Sequence, residues 1–410
     1  MTYAMAKASA VEATTNLRQF ASNNGTTFSP TVNEIRINVA ADAFLDGSKS
    51  YLYFTINNLN AAAGQALVLD SDALCWLDQI RIESQGNVLE RLERAAVYSN
   101  IAGRWKQGVG QVLARNTKQG GPVSAASVGN DGLSIDEATS ATFACKLPMG
   151  MLNAHMGRAI PQGAAFDIVL RVNSTAAQCF KWEAAGGTDF SITNPRFYAP
   201  CYRVDDPDIM SRYNQILAER GVMWSGDVVK TYINSTTTGA GPKVAQLNDR
   251  SQSLKAFVTA VRSNTIVSNA VSNSVGSSQL LGITQMRYII SGQNYPQDTV
   301  QYAANDPGRL YEEAQKALAH DGEHYCEPTV SRALFIATDA TGQGVVAVDL
   351  KKFDDEMLIN TGMNTAISAA PNLLEITGDA NHVASDVTTF AICDSTFVLD
   401  GRTGTITASA

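Results

Sequence analysis

Strict alternation of apolar and polar residues, which assigns one set of side chains to each face of a strand, recurs along the chain. Ile35, Ile37 and Val39 alternate with Glu34, Arg36 and Asn38, and Leu52, Phe54 and Ile56 with Tyr53 and Thr55. Ile80 and Ile82 alternate with Arg81 and Glu83 ahead of the turn Ser84-Gln85-Gly86-Asn87, and Phe166, Ile168, Leu170 and Val172 predict a fourth strand. In the second half the pattern predicts strands over 254–261, 286–290, 345–350 and 388–393, then a closing hairpin in which 397–399 meets 405–407 across Asp400-Gly401-Arg402. Half-buried strands in this number suit sheets packed face to face.

Helices are few and well marked. Asp206-Pro207 opens one that runs to about Arg220, with Pro at its first position, Ile209, Tyr213, Ile216 and Leu217 on one stripe and Gly221 as the stop. Asp306-Pro307 opens a second, with Leu310, Ala314, Ala317 and Leu318 inward and Gly322 after it. A third is expected over 89–106, apolar at Leu92, Ala96, Ile101 and Trp105. The halves echo each other: an opening strand near Asn33, a later strand at 80–83 and a helix near 90 are matched by a strand near Gln252, one at 286–291 and a helix near 307, at an offset close to 217 residues. That predicts two similar β-sandwiches in tandem, joined through the helix after Pro207.

Composition narrows the class. Over 410 residues, 45% are hydrophobic but only 17% charged, against about 25% charged in a typical soluble domain, so the surface is either neutral and polar or largely covered by partners. The net charge is −8 and the 31 Lys and Arg are scattered singly, which gives no positive footprint for a nucleic-acid groove. No apolar run approaches the roughly 18 residues of a membrane span. Residues 1–20 lack the charged and apolar regions of a secretory signal and are expected to form a short helix or a mobile arm. Cys75, Cys145, Cys179, Cys201, Cys326 and Cys393 are far apart and read as small buried thiols.

Candidate chemistry is sparse. His320-Asp321-Gly322-Glu323-His324 fits the H-x-x-E-H spacing of inverted zinc peptidases, but the motif needs both histidines on one continuous helix and Gly322 is a terminator; a helix C-terminus, with His320 at the negative end of the dipole, is expected instead. Gly108-Val109-Gly110 lacks the third glycine of a dinucleotide loop, and Asp354-Asp355-Glu356 reads as a solvated turn. Asn24, Asn173 and Asn234 head glycosylation-type triplets of the kind that chance supplies in a chain rich in Asn, Ser and Thr, and His155 and His382 read as structural histidines.

Several stretches resemble a known family. Phe28-Ser29-Pro30-Thr31 through Phe44-Leu45-Asp46-Gly47-Ser48-Lys49-Ser50-Tyr51-Leu52 resembles the opening of the first jelly roll in double jelly-roll major capsid proteins, the shell proteins of adenovirus-type viruses, tailless membrane-containing phages, polinton-like viruses and virophages. Ala73-Leu74-Cys75-Trp76-Leu77-Asp78-Gln79-Ile80-Arg81-Ile82 is similar to that family's strand with a buried aromatic ahead of an alternating run. Residues 194–204 with the helix ending at Gly221 look like the last strand and exit helix of the first jelly roll, and residues 358–365 and 388–407 look like the final sheet.

The resemblance implies an all-β fold of two tandem eight-stranded jelly-roll sandwiches with a few short helices: residues 1–27 an N-terminal arm, which its weak helix pattern leads us to expect on the inner face of the shell, 28–225 the first jelly roll with its exit helix, and 226–410 the second. It further implies a homotrimer with a pseudo-hexagonal outline that tiles an icosahedral capsid, contacts to neighbouring capsomers, to a vertex penton protein and to minor capsid proteins, and a location in the virion, commonly over an internal lipid membrane. Gln107 to Ala144 and Gly221 to Arg250, rich in Gly, Ser, Thr and Asn, would be long loops at trimer contacts or the outer surface. No catalytic residue, cofactor or metal follows from the family, and none is expected. The rival from another class is a glycan-binding or adhesive spike sandwich, which would carry clustered exposed aromatics; Trp76, Trp105, Trp182 and Trp224 are scattered. A metallohydrolase has only the His320–His324 string.

Overall fold

The computed structural model describes residues 13–40, 42–106, 117–121, 131–155, 158–184, 188–303, 306–318, 320–321, 324–325, 328–352, 361–368 and 370–409. Eight principal strands build the first half: β1 (Ala13–Ala21), β2 (Glu34–Ala40), β3 (Tyr51–Asn58), β4 (Leu77–Ser84), β5 (Asn87–Glu93), β6 (Ser140–Cys145), β7 (Ala165–Val172) and β8 (Phe190–Val204). They form two antiparallel sheets, ordered β1-β8-β3-β6 and β2-β7-β4-β5. Eight more follow: β9 (Val222–Thr236), β10 (Gly241–Leu247), β11 (Leu254–Ser263), β12 (Ile283–Ile290), β13 (Gln293–Gln301), β14 (Val345–Asp349), β15 (Asn372–Gly378) and β16 (Ser385–Leu399), ordered β9-β16-β11-β14 and β10-β15-β12-β13. Each strand of the second sandwich therefore has its topological counterpart eight strands earlier. The early strands of each half step alternately between its two sheets, the wrapped topology of a jelly roll.

The alternating residues found in the sequence make the cores. Ile35, Ile37, Val39, Leu52, Phe54, Ile56, Ile80 and Ile82 are all fully buried, and Phe54 meets Trp76 edge-on at 5.3 Å, a geometry favoured by the ring quadrupoles. In the second sandwich Phe257 stacks on Tyr288 at 5.6 Å, and the Tyr288 hydroxyl donates to the Val346 carbonyl at 3.0 Å. The three longest helices among the described residues stand outside the sheets: α1 (Ala95–Trp105), α2 (Pro207–Arg220) and α3 (Gly308–Leu318). Asp206 caps α2 by accepting from the Asp208 and Ile209 amides, Pro207 takes the first helical position and Gly221 ends it at φ 72°, as the sequence signals require.

Six expectations need correction. Ala13–Ala21, assigned to an arm or helix, pairs along its whole length with β8; its side chains are mostly exposed, so main-chain pairing rather than an apolar face makes it a strand, and it supplies the first strand of the first jelly roll. The segment Gly221–Arg250 is not a loop: Val222–Thr236 pairs residue by residue with β16, and its Thr, Ser and Asn content hid that. The expected junction at 225/226 falls inside β9; among the described residues the change of sheet falls between Val204 and Val222, across α2. The helix expected over 89–106 begins only at Ala95, because Leu89 and Leu92 face inward from β5, paired with β4. Topology also shifts the internal repeat, matching Leu254–Ser263 with Tyr51–Asn58 rather than with the strand near Asn33. Of the predicted loop 107–144, residues 131–135 and 140–144 are in strands, and 107–116 and 122–130 lie outside the described residues.

Replacing Phe54 by Ala removes a fully buried ring and leaves Trp76 facing a void, a change that costs about 3–5 kcal/mol. Urea denaturation of F54A should give a midpoint lowered in proportion with an unchanged slope.

Candidate functional site: the seam between the sandwiches

Helix α1 is buried on nearly all sides, as expected of a helix wedged between layers. Tyr98 packs on Phe390 of β16 at 5.2 Å, and Trp105 on Tyr311 of α3 at 5.1 Å and Phe335 at 6.0 Å. It leaves β5 with Arg94 in the left-handed region at φ 52°. The Arg94 guanidinium lies 3.6 Å from Asp386 of β16, which also pairs with Arg262 of β11 at 3.0 Å. Arg104 at the far end donates to Asn100 at 2.6 Å, and the Asn100 amide reaches across to the Gly276 carbonyl at 2.9 Å.

Asp70, closing the short strand Leu67–Asp70, is the polar anchor of this seam. Its carboxylate is fully buried and accepts from the Val275 amide at 2.6 Å, the Gly276 amide at 3.0 Å and the Asn273 side chain at 3.2 Å, all from the second sandwich. Burial pushes its pKa up to about 6, against the pull of those donors. Asn273 also donates to Asp131, itself paired with Lys181 at 2.7 Å. The loop 270–276 is thus threaded through first-sandwich acceptors.

A second anchor holds residues 147–155 against β9. Glu90 of β5, fully buried, accepts from the Gly150 and Met151 amides at 2.8 and 3.0 Å, and burial raises its pKa to about 7. The chains then touch backbone to backbone: a Cβ on Gly226 would lie 2.1 Å from the Gly150 carbonyl oxygen, and one on Gly150 would lie 2.2 Å from that of Asp227. Only glycine fits either position. Beside this contact His155 Nε2 lies 3.2 Å from Asp227 Oδ1 and 3.5 Å from Asp394 Oδ1, while Lys255 Nζ lies 2.8 and 3.0 Å from the same two oxygens. The carboxylates raise His155 to about 9. Burial alone would raise Asp227 and Asp394, but His155 and Lys255 outweigh it and hold both below the usual carboxylate range. Two cations against two anions leave a neutral quartet.

That quartet is also the one cluster of ligand-type groups among the described residues, with donor atoms of His155, Asp227 and Asp394 within 4.8 Å of one another. Lys255 already supplies positive charge at both Oδ1 atoms, so the arrangement works as an interdomain ion cluster. A cleft of about 390 Å³ opens beside it, lined by Tyr98, Lys146, Met149, His155, Asp227 and Val229.

The sequence candidates scatter. His155 enters the seam. His382 is buried in the second sandwich, its Nε2 3.1 Å from the Thr236 hydroxyl and its Nδ1 3.3 Å from the Leu281 carbonyl. α3 ends at Leu318, and His320–Asp321 pairs antiparallel with His324–Tyr325, so the backbone offers neither the continuous helix of a zinc motif nor the helix C-terminus expected at His320. Gly108-Val109-Gly110, Asp354-Asp355-Glu356 and Cys326 lie outside the described residues. The other five cysteines are buried free thiols. Asp70, Glu90 and Asp394 were missed because a lone carboxylate in a strand carries no spacing signal.

No protein-family model matches the sequence, and no curated protein matches it. Among solved structures the chain is similar to the PBCV-1 protein VP54 as fitted into a reconstruction of the virophage Sputnik, with 11% identity and a TM-score of 0.65 over 100% of this chain and 99% of that one. It is also similar to the Faustovirus major capsid protein (10% identity, TM-score 0.60, 95% and 91% covered) and to the mavirus major capsid protein (11%, 0.52, 96% and 90%). The fold is the double jelly roll that these proteins share.

Two outcomes test the seam. Asp70→Ala strands three buried donors, at about 1–3 kcal/mol each before relaxation, and should lower the thermal midpoint while leaving each sandwich β-rich by circular dichroism. The pH profile follows from the shifts: Asp70, Glu90 and His155 all have folded values above their ordinary ones, so their contribution is full below the unfolded pKa and is lost as pH rises through about 6, 7 and 9 in turn. Asp227 and Asp394 act oppositely, losing their contribution as pH falls below about 4. Melting temperature should therefore peak near pH 4 and decline to pH 9, and Glu90→Gln should flatten the part of that decline between about pH 4.5 and 7.

Proposed function

We propose that this chain is the major capsid protein of an icosahedral virus, a structural component of the virion whose mechanism is self-assembly and not catalysis. The observation that carries the reading is the match of the whole chain, in strand order and in the tandem placing of its two jelly rolls, to capsid proteins that share almost no sequence with it. The seam supports it: the sandwiches are joined by a buried helix and neutralised charges, which suits a rigid building block. The functional unit is a homotrimer of six jelly rolls with a pseudo-hexagonal outline, tiling through contacts with neighbouring capsomers. Vertex and minor capsid proteins, and in membrane-containing members an internal lipid layer, are its further partners. A glycan-binding spike is less well supported: Trp76, Trp105, Trp182 and Trp224 are all buried, and although Tyr51, Tyr53 and Tyr198 cluster on an outer face, the full-length fold match is to capsid proteins.

Light scattering of the purified chain at micromolar concentration should give the mass of three chains, and negative-stain images should show pseudo-hexagonal particles. A stable monomer would overturn the reading.

A further inference from the structure

From Ala256 to Val261 β11 carries no charge, and it then places Arg262 inside the seam, only 3% exposed. An arginine at that depth needs an acceptor for each donor and an anion for its charge. Its Nη2 donates to Asp386 at 3.0 Å and its Nη1 to the Ser274 carbonyl at 3.2 Å. Nε, also buried, has no hydrogen-bond partner among the described residues. Burial pulls the Arg262 pKa down, Asp386 opposes that, and the neighbouring Arg94 adds to it; Asp70 contributes a weaker attraction.

The ion pairs that reach Arg262 do not close. Arg171 lies 3.1 Å from Asp78, Asp78 3.9 Å from Arg94, Arg94 3.6 Å from Asp386, and Asp386 3.0 Å from Arg262. Three guanidiniums alternate with two carboxylates, so a cation stands at each end of the row. At the Arg171 end, 47% exposed, water screens the surplus; at the Arg262 end it is buried. Arg262 and Arg94 line a cavity of about 20 Å³ together with Cys75, Asp78, Asn173 and Gln178, the rest of the wall being mostly aliphatic. That is room for one water-sized group and little more. Asp78, the carboxylate of the wall, is already held by Arg171 and Arg94, and Cys75 stays a neutral thiol because burial raises its pKa. Asp78, Arg94, Asn173 and Gln178 also line an open cleft of about 340 Å³ between β4 and β9, which gives the cavity an approach from solvent.

We propose that this cavity is a binding site for one small monovalent anion of the halide class, chloride in ordinary buffers, held by Arg262 Nε and Arg94 where α1 meets β11. Water in the same place satisfies Nε but leaves the surplus charge of Arg262 uncompensated, a costly state in a buried site; an anion answers both needs. Phosphate and sulfate, with five heavy atoms, exceed the volume. The ion joins Arg94 of the first sandwich to Arg262 of the second, so its binding is read as stability of the seam, whatever the chain assembles into. Above its dissociation constant, each tenfold increase in halide multiplies the folded-to-unfolded ratio tenfold. For 410 residues unfolding at about 2.1 cal/mol/K each, that raises the melting temperature by about 1.5 °C.

The test uses the full chain with bromide and chloride as probes. Crystals grown in sodium bromide should show an anomalous peak in the cavity, within hydrogen-bond reach of Arg262 Nε; a water there and no bromide would overturn the proposal. In solution, melting temperature is followed at fixed pH and ionic strength while isethionate is replaced by chloride or bromide, and it should rise by the increment above for each tenfold step. A flat response would overturn the proposal even beside a bromide peak, because it would make the peak an adventitious ion only. Arg262→Lys keeps a cation for Asp386 but has no donor at the Nε position, and should stay folded by circular dichroism while losing the halide response. An undiminished response in that variant would put the ion elsewhere and sink the assignment. If Arg262→Lys does not fold, the bromide peak and the wild-type titration decide by themselves.

Discussion

A sheet that is apolar on both faces must be covered twice, and the rest of this structure depends on how that is done for β9-β16-β11-β14. Its inner face is covered by its own sandwich partner, its outer face by α1. Tyr98, Ile101 and Trp105, each almost fully buried, contribute about 1.5–3 kcal/mol apiece by leaving water, and they can do so only if the first sandwich stands at a fixed position against the second. The two jelly rolls are therefore one mechanical unit. A flexible linker would leave Val258, Ala260 and Phe390 in solvent.

Apolar burial is indifferent to register, and the polar groups of the seam supply what it lacks. Asp70 and Glu90 each spend a buried carboxylate on backbone amides of a loop they must position. Such groups are costly to bury and tolerant of no displacement, because a shift of one residue leaves a charge without donors. The glycine pair Gly150 and Gly226 adds a steric condition to the electrostatic one, since any side chain there would pry β9 from the 147–155 loop. Strength comes from the helix and uniqueness from the carboxylates. The His155 quartet, neutral as a whole and partly open to solvent, adds little net charge and keeps the seam free of an uncompensated field.

The fold was legible where one face of a strand meets water. β2, β3, β4 and β7 alternate plainly, and their alternation located them. Elements that obey another rule were misread for that reason. β1 is held by main-chain bonds to β8 and has no apolar face to display. β9 changes character along its length, buried from Trp224 to Val229 and then polar to Thr236, so no single period describes it. The 89–106 segment joins an inward-facing strand to a buried helix, and apolar residues at mixed spacing read as one long helix. The seam was harder still. Asp70 and Val275 lie far apart in sequence, and nothing in either residue announces a pairing that exists only after two sandwiches have folded. His155 was noticed as a histidine, but its two carboxylates and its lysine come from three strands of the other half.

The low charge of the chain follows from the same geometry. Charged side chains concentrate on the outer faces of the β2-β7-β4-β5 and β10-β15-β12-β13 sheets, where Arg36 lies near Glu34, Glu83 and Asp167, Arg81 pairs with Glu83 and Arg287 pairs with Glu375. The other two sheets present faces of a different kind. One is covered from within the chain, its charges paired across the seam; its counterpart is built from tyrosine, threonine and asparagine. A sandwich that lived alone in water would have no reason to treat its two outer faces differently, because both would need solvation. Here the outward side chains of β3 and β8 are nearly uncharged, while the charges of β9, β11 and β16, among them Asp227, Lys255, Arg262, Asp386 and Asp394, are paired within the seam. Composition averaged over 410 residues, 17% of them charged, hides where those charges sit: paired on the outer faces of two sheets or neutralised inside the seam.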